Sequence, residues 1–257
     1  MKRTVALLAL LLPLAAQAQA QTGELVRFIT CPIYRDADAG RKSGCWLAEN
    51  RETGLRHDVS QSPHKPDWNR GVLVEGRIAA GATDPCGGIV LDPVRTSVLA
   101  TPCPRHILPA EGYPGRRFIL PRRNNDPLSV ARPSPEGPFS ARTFPVYFEF
   151  DRDFIVYQYS DWLIDRAATW LRAAKPRRVL VTGFAATRPE IVSGQALAER
   201  PEVATARAHM VAETLRRLVP GLVVVTRTRI DSRPTDEPEA DGLPGQSQRR
   251  AEISAQF

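Results

Sequence analysis

Val-Leu-Val-Thr-Gly-Phe, residues 179 to 184, is a β-branched and leucine run too short for a helix, and segments of helical period flank it on both sides. Upstream, Leu163, Ala167, Trp170 and Leu171 recur at helical spacing between Ser160 and Ala174, with Ser160 expected as the N-cap. Downstream, from about Pro201 to Leu218, the residues Ala204, Ala208, Val211, Leu215 and Leu218 trace an apolar stripe that Pro220-Gly221 stops. Outside these helices, Phe144 to Phe150 alternates Val146, Phe148 and Phe150, while Leu222 to Ile230 and Arg250 to Ala255 read as further strands. The order is β-α-β-α-β-β, which predicts an α+β, two-layer sandwich with helices on one face of a mixed sheet.

The rest of the chain has a different texture. Leu25 to Ile29, Gly44 to Ala48, Leu55 to Val59, Val72 to Ile78 and Gly88 to Leu99 are short alternating runs separated by turn residues. Arg51-Glu52-Thr53-Gly54 suits a hairpin connection, and Gly76 inside a strand marks a bulge or a close backbone approach. Five short strands predict a small all-β domain over residues 21 to 110, a barrel of the oligonucleotide/oligosaccharide-binding (OB) type. Between the two units, Pro114, Pro121, Pro127, Pro133, Pro135 and Pro138 crowd together and periodicity disappears, so residues 111 to 142 read as a semi-extended linker. Arg117-Phe118-Ile119-Leu120 is the stretch of it that suits an added edge strand. The C-terminal domain then spans 143 to 257.

Residues 1 to 20 have the form of an export leader. Lys2 and Arg3 precede an apolar run, and Ala16-Gln17-Ala18 or Ala18-Gln19-Ala20 supplies a small-x-small cleavage site. The run is shorter than the roughly 20 residues that span a bilayer, so cleavage and a periplasmic product are expected, with no integral membrane segment. Cleavage removes two cations from the formal +7 and leaves +5. The remaining arginines are dispersed and no basic stripe alternates with aromatics, so nucleic acid is not an expected partner. Cys31, Cys45, Cys86 and Cys103 form an even set without a Cys-x-x-Cys pair, which in an oxidising compartment reads as two disulfides and not as a metal site. Three pairings satisfy the sequence. Cys31 with Cys45 and Cys86 with Cys103 are favoured because they close short loops, worth about 3 kcal/mol each in the loop-closure model.

The segments Thr182-Gly183-Phe184-Ala185-Ala186, Val203 to Ala208, and Gln248-Arg249-Arg250-Ala251-Glu252-Ile253 resemble the OmpA-like C-terminal peptidoglycan-binding domain family, over about residues 144 to 257. That family carries Thr-Gly-(His/Tyr)-Thr-Asp at the end of its second strand, then an Asn, then Leu-Ser-x-x-Arg-Ala on its second helix, and it closes on (Asn/Asp)-Arg-Arg-Val-Glu-Ile. The resemblance implies ligand contacts at Thr182, Gly183, Ala186, Arg207 and Arg249. The implied partner is the peptidoglycan stem peptide, with the carboxylate of diaminopimelate gripped by Arg207. The family's Asp falls on Ala186 and its Asn near Arg200, and the stretch between them is several residues longer than usual. Peptidoglycan binding through a weakened or altered site is therefore implied, in a protein associated with the outer membrane or the wall. The first alternative is an OmpA-like fold that has lost its wall ligand and makes protein contacts in envelope assembly; the second, less favoured, is a wall-processing hydrolase with its chemistry in the N-terminal unit.

The residues themselves give Arg207 a physical reading. It lies three positions after Ala204 and four before Val211, so it points toward the border of the apolar stripe, where its fork should seek a carboxylate. That carboxylate belongs either to a ligand or to an internal partner such as Glu149 or Glu252. Glu190, Glu199 and Glu202 in the longer connection are candidates to replace the missing aspartate, and each reads first as a solvated residue. No cofactor, metal or catalysis is expected. His57, Asp58 and Ser60 offer the residue types of a hydrolase, but neighbours on a strand point to opposite faces. Asp151 and Asp153 read as turn residues, and neither a Gly-x-Ser-x-Gly elbow nor a His-Glu-x-x-His helix occurs.

Overall fold

The computed structural model describes residues 21–36, 44–81, 86–110, 133–156 and 159–257. The leader expected over 1 to 20 and most of the expected linker, including Arg117 to Leu120, lie outside the described residues. The N-terminal unit contains β1 (Leu25–Thr30), β2 (Pro32–Arg35), β3 (Cys45–Glu49), β4 (Arg56–Asp58), β5 (Arg70–Ile78), β6 (Ile89–Pro102) and β7 (Ile107–Leu108). Their order in the sheet is β1-β5-β6-β4-β3-β2-β7. Only Cys31 separates β1 from β2, so the succession of pairings returns to the strand segment from which it began. Along it, β4 and β6 run parallel, whereas β1 with β5, β5 with β6, β3 with β4 and β2 with β3 are antiparallel. Phe28, Ala48, Val59, Val72, Val74, Leu91 and Val94 pack together as the core of this unit.

Two sequence readings in this unit have visible causes. Gly54 sits at φ +70° in the β3–β4 connection, where its N–H bonds to the Asn50 carbonyl. A Cβ at Gly76 would stand 3.0 Å from the Pro93 carbonyl, and the register slips between Gly76 and Ile78, so the glycine serves both a close approach and an irregular bend. The favoured disulfide pairing is corrected. Cys31 bonds to Cys103 and Cys45 to Cys86, with Cα separations of 5.6 and 6.1 Å. Strand order is the reason: the ladders β1–β5 and β5–β6 bring the end of β1 beside the end of β6, across 72 residues of chain.

The C-terminal unit runs β8 (Thr143–Tyr147), α1 (Ser160–Ala174), β9 (Arg178–Phe184), a hairpin of β10 (Glu190–Val192) and β11 (Gln195–Leu197), α2 (Glu202–Leu218), β12 (Val224–Arg229), a 3-10 turn at Pro238–Ala240, α3 (Pro244–Gln248) and β13 (Arg250–Gln256). The expected β-α-β-α-β-β order is present with one hairpin inserted. The four-stranded sheet has the order β12-β9-β13-β8, with β12 parallel to β9 and the other pairs antiparallel. Val146, Val179, Val181, Ile253 and Ala255 pack against Leu163, Ala167, Leu171, Ala208, Val211 and Leu215 of the helices. Ser160 is not a side-chain cap; it opens α1, and its hydroxyl donates to the Tyr147 carbonyl at 2.8 Å. Leu218, expected in the apolar stripe, is exposed, and β8 stops at Tyr147, short of Phe150.

The units share a polar and apolar seam. Ile29, Leu73 and Leu99 from the first cluster with Val192, Phe150 and Leu197 from the second. Around them the Ile29 N–H donates to Ser193 Oγ at 3.0 Å, and the Phe150 N–H donates to Ser97 Oγ at 2.9 Å. Ion pairs Arg27–Glu190, Arg95–Asp241 and Arg249–Glu75 also cross it, and the His64 ring meets the Glu149 carboxylate there.

Candidate functional site

Gly183 sets the depth of the site. A Cβ there would overlap the Ala204 carbonyl and stand 2.9 Å from the Ala208 nitrogen, so glycine lets β9 lie directly on the backbone of α2. This contact places Arg207, one turn along the helix, over the end of β9 and beneath the turn after β8. Its side chain is fully buried and every N–H is used. Nε donates to the Arg152 carbonyl at 2.8 Å, Nη1 to the Phe184 carbonyl at 2.7 Å, and Nη2 to the Glu149 carbonyl at 3.0 Å. The remaining two donors grip the carboxylate of Glu199, Nη1 to Oε2 at 2.9 Å and Nη2 to Oε1 at 2.6 Å.

Glu199 is equally saturated. Its Oε1 also accepts from the Asp151 N–H and its Oε2 from the Ala186 N–H, both at 2.8 Å. Burial alone would push this carboxyl up, but the hydrogen bonds and charge of Arg207, together with Arg249 and the Ala186 N–H, hold it below the usual carboxylate range. Four donors thus converge on one carboxylate, and that carboxylate belongs to the same chain. The reading of Glu199 as a solvated residue is corrected, and so are the suggested partners of Arg207. Glu149 offers Arg207 only its carbonyl and sets its carboxylate against His64, while Glu252 pairs with Arg250 at 2.7 Å. Arg200, at the expected Asn position, closes the neighbouring turn by donating to both oxygens of Asp151, at 2.9 and 2.7 Å.

The other expected contacts do not converge on Arg207. Thr182 stands in register with Arg227 on one side and Glu252 on the other, and alternates to the face opposite Val181, away from the helices. Arg249 is buried, and its Nη2 is paired with Glu75 of the N-terminal unit and bonded to Gln246 Oε1 at 3.0 Å. Gly245 makes room for this pair, because a Cβ there would overlap Glu75 Oε1. Ala186 and Arg249 do line one cleft, with Arg27, Arg188, Glu190 and Gln248, but it is small, with a cavity volume of about 10 Å³.

What sequence reading missed is the hairpin. Glu190↔Leu197 and Val192↔Gln195 pair across a two-residue turn in which Ser193 and Gly194 both have positive φ, 46° and 72°. The Ser-Gly dipeptide between short runs was the available signal. The longer stretch after Ala186 is this hairpin, which touches β1 through Ser193 and Glu190 and then delivers Glu199 to Arg207. Cys45, Asp58 and Cys86 bring ligand-type atoms within 4.8 Å of one another, but the two sulfurs are bonded to each other and offer no thiolate. Among the described residues no helix is long and apolar enough to cross a membrane.

No protein-family model and no curated protein matches this chain. Among solved structures it is similar to the cell wall anchor of the T6SS from Pseudomonas aeruginosa, at 25% identity over 45% of this chain and 80% of that one, with a TM-score of 0.34. The OmpA-like domain of FopA1 from Francisella tularensis subsp. tularensis SCHU S4 is similar at 18% identity, over 45% and 71%, with a TM-score of 0.34. The periplasmic domain of MotB is similar at 13% identity, over 95% and 79%, with a TM-score of 0.33.

Proposed function

We propose that this is an exported, periplasmic binding protein without catalytic activity, whose OmpA-like C-terminal domain works through protein contacts in the cell envelope and does not hold a wall peptide. The observation that carries this reading is the closed Arg207–Glu199 pair, in which an internal carboxylate occupies all that the arginine can offer a ligand. Opening it would strand two buried charges. Removing one partner of such a pair costs about 3–5 kcal/mol, comparable to the whole binding energy of a weak ligand. The N-terminal circuit of strands is, on this reading, a barrel of the OB type, docked on the hairpin that supplies Glu199.

Sedimentation of the mature chain with isolated peptidoglycan tests the proposal. The wild type should stay in the supernatant, and Ala186→Asp should stay with it, because restoring the family's aspartate leaves Arg207 closed. Saturable sedimentation of the wild type that a soluble diaminopimelate-containing stem peptide competes away would overturn it, and peptidoglycan would return as the ligand.

A further inference from the structure

The outer edge of the C-terminal sheet carries no further strand from the described residues. Among the described residues β12 pairs with β9 and with no other strand. The carbonyls of Val223 and Arg229 accept from Val179 and Ala185, so the odd-numbered residues of β12 turn their backbone groups toward β9. Val224, Thr226 and Thr228 turn theirs outward. Arg216 of α2 covers the first of these, donating to the Val224 carbonyl at 3.0 Å.

The side chains along this edge carry a pattern of their own. Val224 packs toward the helices, whereas Val223 and Val225 are 57% and 44% exposed on the opposite face and are followed there by the exposed Arg227 and Arg229. Neither arginine has a carboxylate partner among the described residues; Asp231 beyond the strand is 3.8 Å from Arg188, and Glu213 on α2 faces Arg217 at 3.7 Å. An edge with free peptide groups, two exposed valines and two unpaired cations can take a further strand. A second copy of β12 paired parallel and in register would set arginine beside arginine, and any second copy would bring two more cations and no carboxylate to this edge, so an acidic strand is the better match.

We propose that β12 is a docking edge for an extended acidic segment of another protein, which adds as a fifth strand with apolar side chains beside Val223 and Val225 and carboxylates beside Arg227 and Arg229. The proposal rests on the protein-contact reading above and names the surface used. Main-chain hydrogen bonds to Thr226 and Thr228 supply the affinity, and the two arginines supply selectivity for negative charge.

Fluorescence anisotropy of the mature chain with three labelled peptides tests it: Val-Thr-Val-Thr-Glu-Thr-Glu, the same peptide with Lys for Glu, and the acidic peptide N-methylated at alternate residues. The acidic peptide should bind on the order of tenfold more tightly than the Lys version. N-methylation, which keeps the charge and removes strand donors, should abolish binding. Arg227→Glu with Arg229→Glu should reverse the preference between the charged peptides, with a thermal melt confirming the fold. Equal binding of the N-methylated peptide would mean bare attraction of an anion and would overturn strand addition. Absence of any preference for the acidic peptide would overturn the docking edge, and neither result touches the wall-sedimentation test.

Discussion

Arg207 and Glu199 are stable together because each satisfies part of the other's donors or acceptors and nearby backbone groups satisfy the rest. Glu199→Ala leaves a buried guanidinium uncompensated and should destabilise the chain by about 3–5 kcal/mol, read from urea unfolding of the mature protein. Arg207→Met with Glu199→Leu should recover only part of that loss. The Ala186 and Asp151 N–H groups and the Arg152, Phe184 and Glu149 carbonyls would be left without these partners. Full recovery in the double variant would show that the pair is electrostatically dispensable. The same residue scale governs the response to acid. Burial lowers the pKa of His57 below its ordinary 6.5, and its ring lies 5.2 Å from that of Phe28. The unfolded chain therefore takes up this proton first; the contribution is complete above pH 6.5 and is lost as the pH falls toward the lowered value. Glu199, held below its ordinary 4.5, adds a second loss as the pH drops below 4.5. Melting temperature should fall in two stages on acidification, and because burial also lowers His64, His57→Leu should shrink the first stage without removing it. A first stage that persists unchanged in that variant would assign it to another group.

At the scale of elements, the two disulfides belong to the strand circuit and not to chain proximity. Cys31–Cys103 ties the β1–β2 junction to the end of β6 across 72 residues, and Cys45–Cys86 ties β3 to the segment before β6 across 41. Loops of these lengths make each link worth about 4 kcal/mol in the loop-closure model. A Cys31→Ser, Cys103→Ser variant should lose about that much stability. A non-reduced peptide map of the wild type should join the peptides holding Cys31 and Cys103, and a Cys31–Cys45 peptide would contradict the pairing. The β10–β11 hairpin is the other decisive element. Its turn and its Val192 anchor face the N-terminal unit, and the chain leaving it returns to α2 with Glu199 already placed.

For the whole molecule, the seam makes two sequence-distinct units one folded body. Glu75 is buried between Arg249 at 1% exposure and Arg27, whose Nε stands 2.9 Å from it, and Arg95–Asp241 is buried nearby. Buried ion pairs of this kind add little net energy, because desolvation offsets their attraction, while the Ile29, Leu73, Leu99 and Val192 cluster supplies apolar burial. Trypsin acting at Arg122, Arg123 or Arg132 should yield two fragments that co-elute on size exclusion and separate only in denaturant. Independent elution of the fragments without denaturant would show the units to be autonomous.

Residue order determined the β-α-β-α-β-β succession of the C-terminal unit, though not its inserted hairpin, because Val179 to Phe184 is too short and too β-branched for a helix and the stripe from Ala204 to Leu215 has a helical period. The five N-terminal runs were equally legible, as were the connection ending at Gly54 and the irregular strand at Gly76, but the short strands β2 and β7 were not. Arg207 stood out as a cation at the border of an apolar stripe, and its demand for a carboxylate followed from its chemistry. Which carboxylate answered was decided by the fold, since Glu199 reaches Arg207 only after a hairpin whose short strands have no periodicity to betray them. The disulfide partners and the pairing of Arg249 with Glu75 were likewise set by strand order and docking. Those contacts join residues far apart in the chain, and no local pattern records which distant neighbour a buried group will meet.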